Sequence, residues 1–500
     1  MERRKFIKKT ALGLSVPFWL TSCHSDFLNG NDFPISVSSL AQSGHLIKNA
    51  LTLGVSKKRQ TETLIVGGGL AGMAAAYTLK HKDYLLVELD DRYGGSSSAN
   101  NYQGIALGRG AHYDLAYPAY YGAEVLKMFE QLGVIEYQAW TDSWSFKDRQ
   151  HLIPAARRQQ CFQDGRLRKA VMPKTAASQK LMELLLPFEG RMVMPTRLTP
   201  PDLQYLDHMT FDAFLNAQNI DTDPSFRKLI DYQMLDDYGG TSQQVSALAG
   251  IHYYTCRPYQ KQFVELFSAP EGNQYFVNKI HKQLSSQRIL NQHLVYHIEK
   301  QGAGYLVDVL DITHNERLQI KTDALIYAGQ KHSLPYIAPE IDSPFKKNVY
   351  APWMVVNILM KQKPNNYGFW QNEYLDSESG FLGFIDSSVQ HQGSLKGLQC
   401  LTGYYCLKPE HRSQLLTVAD HKDRIVNETL TYMRVMVKGP IQPEAAFIHV
   451  MGHAMSIPTP HYLFNTYPEI GNFKFAGADT GRLPLLFEAI DSGIMAANSL

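Results

Sequence analysis

The sequence predicts an α/β protein in which a parallel, nucleotide-type sheet is interleaved with an α+β domain containing a mixed or antiparallel sheet. Three observations predict it. Gly67, Gly69 and Gly72 lie between a short apolar run and an alanine-rich helical stretch in residues 63–79, TLIVGGGLAGMAAAYTL. A second apolar run, residues 84–87, ends in Glu88. A third block comes hundreds of residues later, where residues 473–479, FKFAGAD, precede a C-terminal helical stretch.

Each glycine has its own physical use. Gly67 permits a tight turn, and Gly69 lets main-chain N–H groups approach a pyrophosphate. Gly72 lets the helix pack closely on the strand, with its positive end on the anion. Leu70 and Ala71 complete this cradle. Glu88 stands close to the roughly twenty-residue offset at which a carboxylate accepts ribose hydroxyls. A lone Gly-x-Gly-x-x-Gly is weak, but strand, helix, second strand and acid together describe a Rossmann-like dinucleotide site. That carboxylate repels a 2′-phosphate, which favours NAD or FAD over NADP.

Five hundred residues exceed one small core, so two interleaved domains are expected. Hydrophobic residues at 44% and charged residues at 19% describe a globular enzyme rather than a disordered chain. The formal net charge of +2 comes from the N-terminus, where Arg3, Arg4, Lys5, Lys8 and Lys9 oppose only Glu2. Without that surplus of four the remainder is slightly acidic, so no nucleic-acid partner is expected. The densest basic stretch, 157–169, surrounds Asp164-Gly165, a hairpin signal, and reads as a solvated β-hairpin.

The N-terminus, MERRKFIKKT, resembles a bacterial twin-arginine export signal. Residues 11–20 are apolar but about half the length that spans a bilayer, so a signal peptide over 1–22 is expected rather than a membrane helix. Leu20-Thr-Ser-Cys23 resembles a lipoprotein cleavage box with Cys23 as the lipid anchor. The expected location is periplasmic and lipid-anchored. His24, where an inner-membrane retention signal has Asp, favours the inner face of the outer membrane. The twin-arginine machinery, the expected export partner, carries folded proteins, and a folded nucleotide domain implies a tightly held FAD. Cys161, Cys256, Cys400 and Cys406 show no metal spacing and read as buried thiols; no metal site is expected.

Residues 23–60 lack sustained periodicity and read as a tether. The rest divides into FAD-binding segments at 61–150, 265–335 and 456–500, with substrate-domain segments at 151–264 and 336–455. A helix is expected over 121–132 with Gly133 as its stop, a hairpin around Gly302 to Gly304, a returning strand over 322–329, and a terminal helix over 485–500.

These blocks resemble, in order, the flavin-containing amine oxidase superfamily, which includes protoporphyrinogen oxidases and phytoene-type desaturases. The resemblance runs from 61 to 500. It implies FAD contacts from Gly67, Gly69, Gly72 and Glu88, the pair Gly94-Gly95, the segment Gly110-Ala111-His112-Tyr113, Val295 at the adenine, Gly477 and Asp479, and Glu488-Ala489-Ile490 at the start of the final helix. That helix would aim its positive end at the flavin's pyrimidine side. Departures are informative. The family's Gly-Gly-Arg is Gly95-Ser96 here, and the Ser96 and Ser97 hydroxyls replace a phosphate-pairing arginine. No lysine stands within 351–357, and all five tryptophans lie upstream of 371. Amine oxidation is thereby weakened relative to desaturation.

The resemblance places His112 and Tyr113 against the ring face as catalytic candidates, with His453 third. Flavin hydride transfer needs no universal acid–base pair. The expected enzyme transfers a hydride from a C–N or C–C bond of a small-molecule or amphipathic substrate. The alternative is a non-catalytic flavin-fold binding protein of the cell envelope.

Overall fold

The computed structural model describes residues 31–48, 54–110, 115, 118–169, 172–220, 223–256, 265–341, 344–361, 368–390, 397–465, 467 and 470–500. The expected export signal over 1–22, Cys23, Ala111, His112 and Tyr113 lie outside the described residues.

Two sheets organise the chain. The nucleotide sheet runs in the order Ile289–Leu290, Tyr84–Val87, Val55–Val66, Glu316–Tyr327, Gly304–Asp311 and His293–Gln301. Its centre is parallel: Val55–Val66 pairs with Tyr84–Val87 on one side and Glu316–Tyr327 on the other. The first half of Glu316–Tyr327 also continues an antiparallel hairpin, while its end pairs in parallel with Phe473–Phe475. The chain's last strand therefore joins a sheet begun by its first glycine motif. Fully buried strand residues such as Leu64, Ile65, Leu86 and Ile326 explain why these runs are continuously apolar rather than alternating.

The second sheet has eight strands, ordered Ile35–Ser39, Pro443–Ser456, Tyr350–Lys361, Leu398–Cys406, Phe381–Asp386, Gln371–Tyr374, Gln159–Gln163 and Arg166–Arg168. It is antiparallel through its middle and parallel at two pairings, so it is mixed. Helices Phe211–Ala217, Pro224–Tyr238 and Ala247–Thr255 cover one face. Helix Lys422–Met436 covers the other. The expected α/β architecture with an interleaved mixed-sheet domain is the one observed.

Strands Gln159–Gln163 and Arg166–Arg168 are joined by Asp164 and Gly165 at φ 52° and 70°. Both residues are left-handed, as a two-residue hairpin turn requires. Helix Ala123–Gln131 stops at Gly133, and the terminal helix spans Leu486–Asn498.

The tether is corrected over its described part. Ile35–Ser39 is an edge strand paired in parallel with Pro443–Ser456, and Val55–Val66 begins before the expected boundary at 61. Phe33, Ile35 and Val37 alternate with polar residues and pack beneath the second sheet. Three apolar residues at period two are too short a pattern to separate from coil by sequence, and pairing with a distant strand decides their state.

Candidate functional site

A cavity of about 1600 Å³ lies between the two sheets. Single small-ligand pockets hold about 300–1,000 Å³, so this one has room for a dinucleotide and a substrate together. Its floor is the glycine turn. Gly67 has φ 103°, and a Cβ there would lie 2.7 Å from Gly329 N, so neither the backbone angle nor the space admits a side chain. Gly72 packs where expected, since a Cβ would meet Gly67 O at 1.9 Å. Helix Leu70–Thr78 begins at Gly69 without a capping side chain, so its first N–H groups are open to a ligand. Gly94 N donates to Gly68 O at 2.7 Å, docking the Gly94-Gly95 pair on the turn.

Glu88 is buried, and its two oxygens accept hydrogen bonds from Gly68 N and Asp90 N. Burial nonetheless dominates and pushes its carboxyl up to about 7. Beside it, Asp90 pairs with Arg109 at 2.7 Å, and Arg109 Nε lies 3.2 Å from His449 Nδ1. A guanidinium can only donate, so that imidazole nitrogen accepts. Burial, then Arg109, holds His449 down to about 3.

The C-terminal block meets this half from the other side. Asp479 accepts from the backbone N–H of Lys331 at 2.8 Å, from Lys331 Nζ at 3.0 Å and from the Tyr350 hydroxyl at 3.0 Å. Lys331 Nζ also donates to Gly329 O and Ala476 O. This fully buried side chain ties together the ends of strands Glu316–Tyr327 and Phe473–Phe475 and pairs with Asp479. Burial lowers the Lys331 pKa, and Asp479 opposes that shift. The N-terminus of helix Leu486–Asn498 reaches the cavity through Leu485, Leu486 and Ala489, again with no side-chain cap.

The remaining volume is an aromatic chamber lined by Tyr232, Tyr253, Tyr254, Trp353, Trp370 and Tyr404. Glu373 opens into it, 4% exposed, with Oε2 unpartnered, and its carboxyl is raised well above the usual range by burial and then by Asp236 and Asp237. His453 and His332, which also line the cavity, stack at 3.7 Å and 11°. Tyr350 stands edge-on to both rings. Burial holds His453 down to about 3 and His332 to about 4, so both are neutral near pH 7.

Of the residues expected from sequence, Gly67, Gly69, Leu70, Ala71, Glu88, Gly94, Gly95, Ser96, Gly110, Val295, Gly477, Asp479, Ala489 and His453 all line this one cavity. Two do not. Glu488 points away, accepting from Thr196 N and Oγ1, and Ile490 is packed in the core against the first helix. Successive helical residues are turned by about 100°, so Ala489 faces the cavity while its neighbours cannot. Sequence reasoning missed Lys331, His332, Arg109 and Glu373. Ala328-Gly329 at a strand end was a usable signal for the first two, whereas Arg109 and Glu373 carry no local signature.

Residues 65–132 match the NAD(P)-binding Rossmann-like domain family. No curated protein matches the chain. Among solved structures, the chain is similar to putrescine oxidase bound to putrescine, with 13% identity, 88% of this chain and 99% of that one covered, and TM-score 0.63. It is similar to cyclohexylamine oxidase from Brevibacterium oxydans at 15% identity, with 88% and 98% covered and TM-score 0.61. A protein assigned as a protoporphyrinogen oxidase from Exiguobacterium shares 13% identity, with 89% and 99% covered and TM-score 0.60. At such identities the likeness is one of fold.

Proposed function

We propose that the protein is an FAD-dependent oxidoreductase that takes a hydride from a C–N or C–C bond of a small or amphipathic molecule. The observation that carries this reading is a single cavity in which two sequence-distant glycine blocks and an aromatic chamber meet. The residues present fit the cofactor. Glycine cradles that a Cβ would fill, uncapped helix N-termini and buried Glu88 suit pyrophosphate and ribose. A bound flavin supplies a hydride acceptor at its N5. The chain's own residues bind, orient and exclude water. The chamber aromatics enclose an apolar substrate, Glu373 offers a polar anchor, and the neutral His332–His453 pair offers imidazole nitrogens that accept a hydrogen bond. His112 and Tyr113 remain candidates by resemblance alone. The fold likeness to two amine oxidases favours amines within this class. Export by the twin-arginine route and anchoring through Cys23 to the periplasmic side complete the proposal, since folded export suits a protein that must first enclose its cofactor.

The test is anaerobic. Natively purified protein should be yellow, release FAD on denaturation, and bleach when mixed with one member of a panel of primary amines, diamines and unsaturable lipids. Mature, folded protein without flavin absorbance would reject the reading and leave the binding-protein alternative.

A further inference from the structure

Residues within 39–48, ahead of the glycine motif, form part of the cavity wall. Leu40, Ala41, Gly44, His45, Ile47 and Lys48 all line the cavity, as do Glu88, Leu89 and Asp90. The short helix Ala41–Gly44 and the 3₁₀ turn His45–Lys48 repeat the spacing 40, 44, 47, which puts Leu40, Gly44 and Ile47 on one face. A Cβ at Gly44 would stand 3.6 Å from Leu89 Cδ2, so the backbone passes directly over the residue that follows Glu88. Ile47 also packs on the nucleotide-sheet core, and Lys48 Nζ lies 6.0 Å from the Tyr336 ring centroid.

The segment is held at both ends. On its N-terminal side, Ile35 to Ser39 pair in register with Ala446 to Val450. Asn31 caps this anchor with hydrogen bonds to Asp423. On its C-terminal side Ile47 packs on the core of the other sheet, whose central strand Val55–Val66 follows after residues 49–53, which lie outside the described residues. The segment therefore bridges the two sheets across the nucleotide end of the cavity. A polar relay joins it to the ribose acid's neighbour: Ser38 Oγ is 2.8 Å from His449 Nδ1, which Arg109 reaches at 3.2 Å while it pairs with Asp90 at 2.7 Å.

We propose that residues 35–48 are a clasp over the adenosine half of the bound dinucleotide, and that this clasp sets how slowly the cofactor leaves. The inference rests on the dinucleotide reading of the preceding subsection. A half-buried apolar face made by Leu40 and Ile47 gains cover from an adenine or ribose surface, and a ligand beneath a strap tied at both ends departs only when the strap lifts.

The experiment replaces residues 40–48 with a glycine–serine linker of equal length, keeping the Ile35–Ser39 anchor. Flavin release is followed by fluorescence after dilution, with near-ultraviolet circular dichroism as the check on folding. Release ten-fold or more faster than wild type is expected, and the milder Leu40→Ala/Ile47→Ala double variant should fall in between. That double variant reads the same quantity if the linker protein does not fold. A release rate within two-fold of wild type in folded protein overturns the clasp. Wild-type protein that carries no dinucleotide at all overturns the underlying reading instead, and the clasp with it.

Discussion

Glu88 shows how one residue can be legible in position and opaque in chemistry. The strand–glycine–helix spacing placed it by the dinucleotide turn, but its pKa depends on burial that no local pattern encodes. Its carboxyl titrates near 7 in the folded chain against an ordinary value of 4.5. Between those values the native state holds a proton that the unfolded state has lost, so stability from this group falls as pH rises. Glu88→Gln removes the titration. In cofactor-stripped protein the wild type should lose up to about 3 kcal/mol relative to this variant between pH 5 and pH 8, read from urea midpoints. A gap that does not change with pH would contradict the assignment. Lys331 and Glu373 were illegible for another reason. A lysine after a strand and a glutamate within one are ordinary on solvent faces, and only tertiary burial makes an ammonium and an unpartnered carboxyl there functional candidates.

Elements were read well where local chemistry dictates them. Asp164-Gly165 predicted its hairpin because few residue pairs adopt two successive left-handed conformations. The fingerprint helix was equally clear. Its crossing with the terminal helix was not, although it fixes the cavity. A Cβ at Gly493 would lie 2.0 Å from Ala71 O, so this glycine lets the two helices touch at their backbones. Gly493→Ala should destabilise the protein by about 2–3 kcal/mol through overpacking and loosen cofactor retention with it. By contrast Gly165→Ala, whose Cβ meets nothing within 4 Å, should cost about 1 kcal/mol from its backbone angle and leave retention unchanged. Denaturation midpoints with a flavin-retention assay separate the two. Equal retention in both variants would mean that the crossing does not position the site.

Over the whole molecule, the chain visits each sheet several times, and its last strand completes the sheet its first motif began. On the proposed reading, cofactor capture is coupled to folding, which is why the same proposal has the protein exported after it folds. Cys23→Ala should move the mature protein from the membrane fraction to the soluble periplasm, and Arg3→Lys/Arg4→Lys should retain it, flavin-loaded, in the cytoplasm. Unchanged fractionation in both would reject the lipoprotein and twin-arginine readings. By itself the sequence determined the glycine turn, the place of Glu88 beside it, the hairpins and the fold class, because glycine's backbone freedom and apolar runs act over a few residues. Tertiary structure decided that residues within 39–48 wall the cavity, that Glu488 and Ile490 face away from it, that His332 and Glu373 line it, and that Arg109 and Lys331 brace the lining residues Asp90, His449 and Asp479 from behind. Those outcomes depend on packing between segments hundreds of positions apart, where register and burial are set by partners the local chain does not contain.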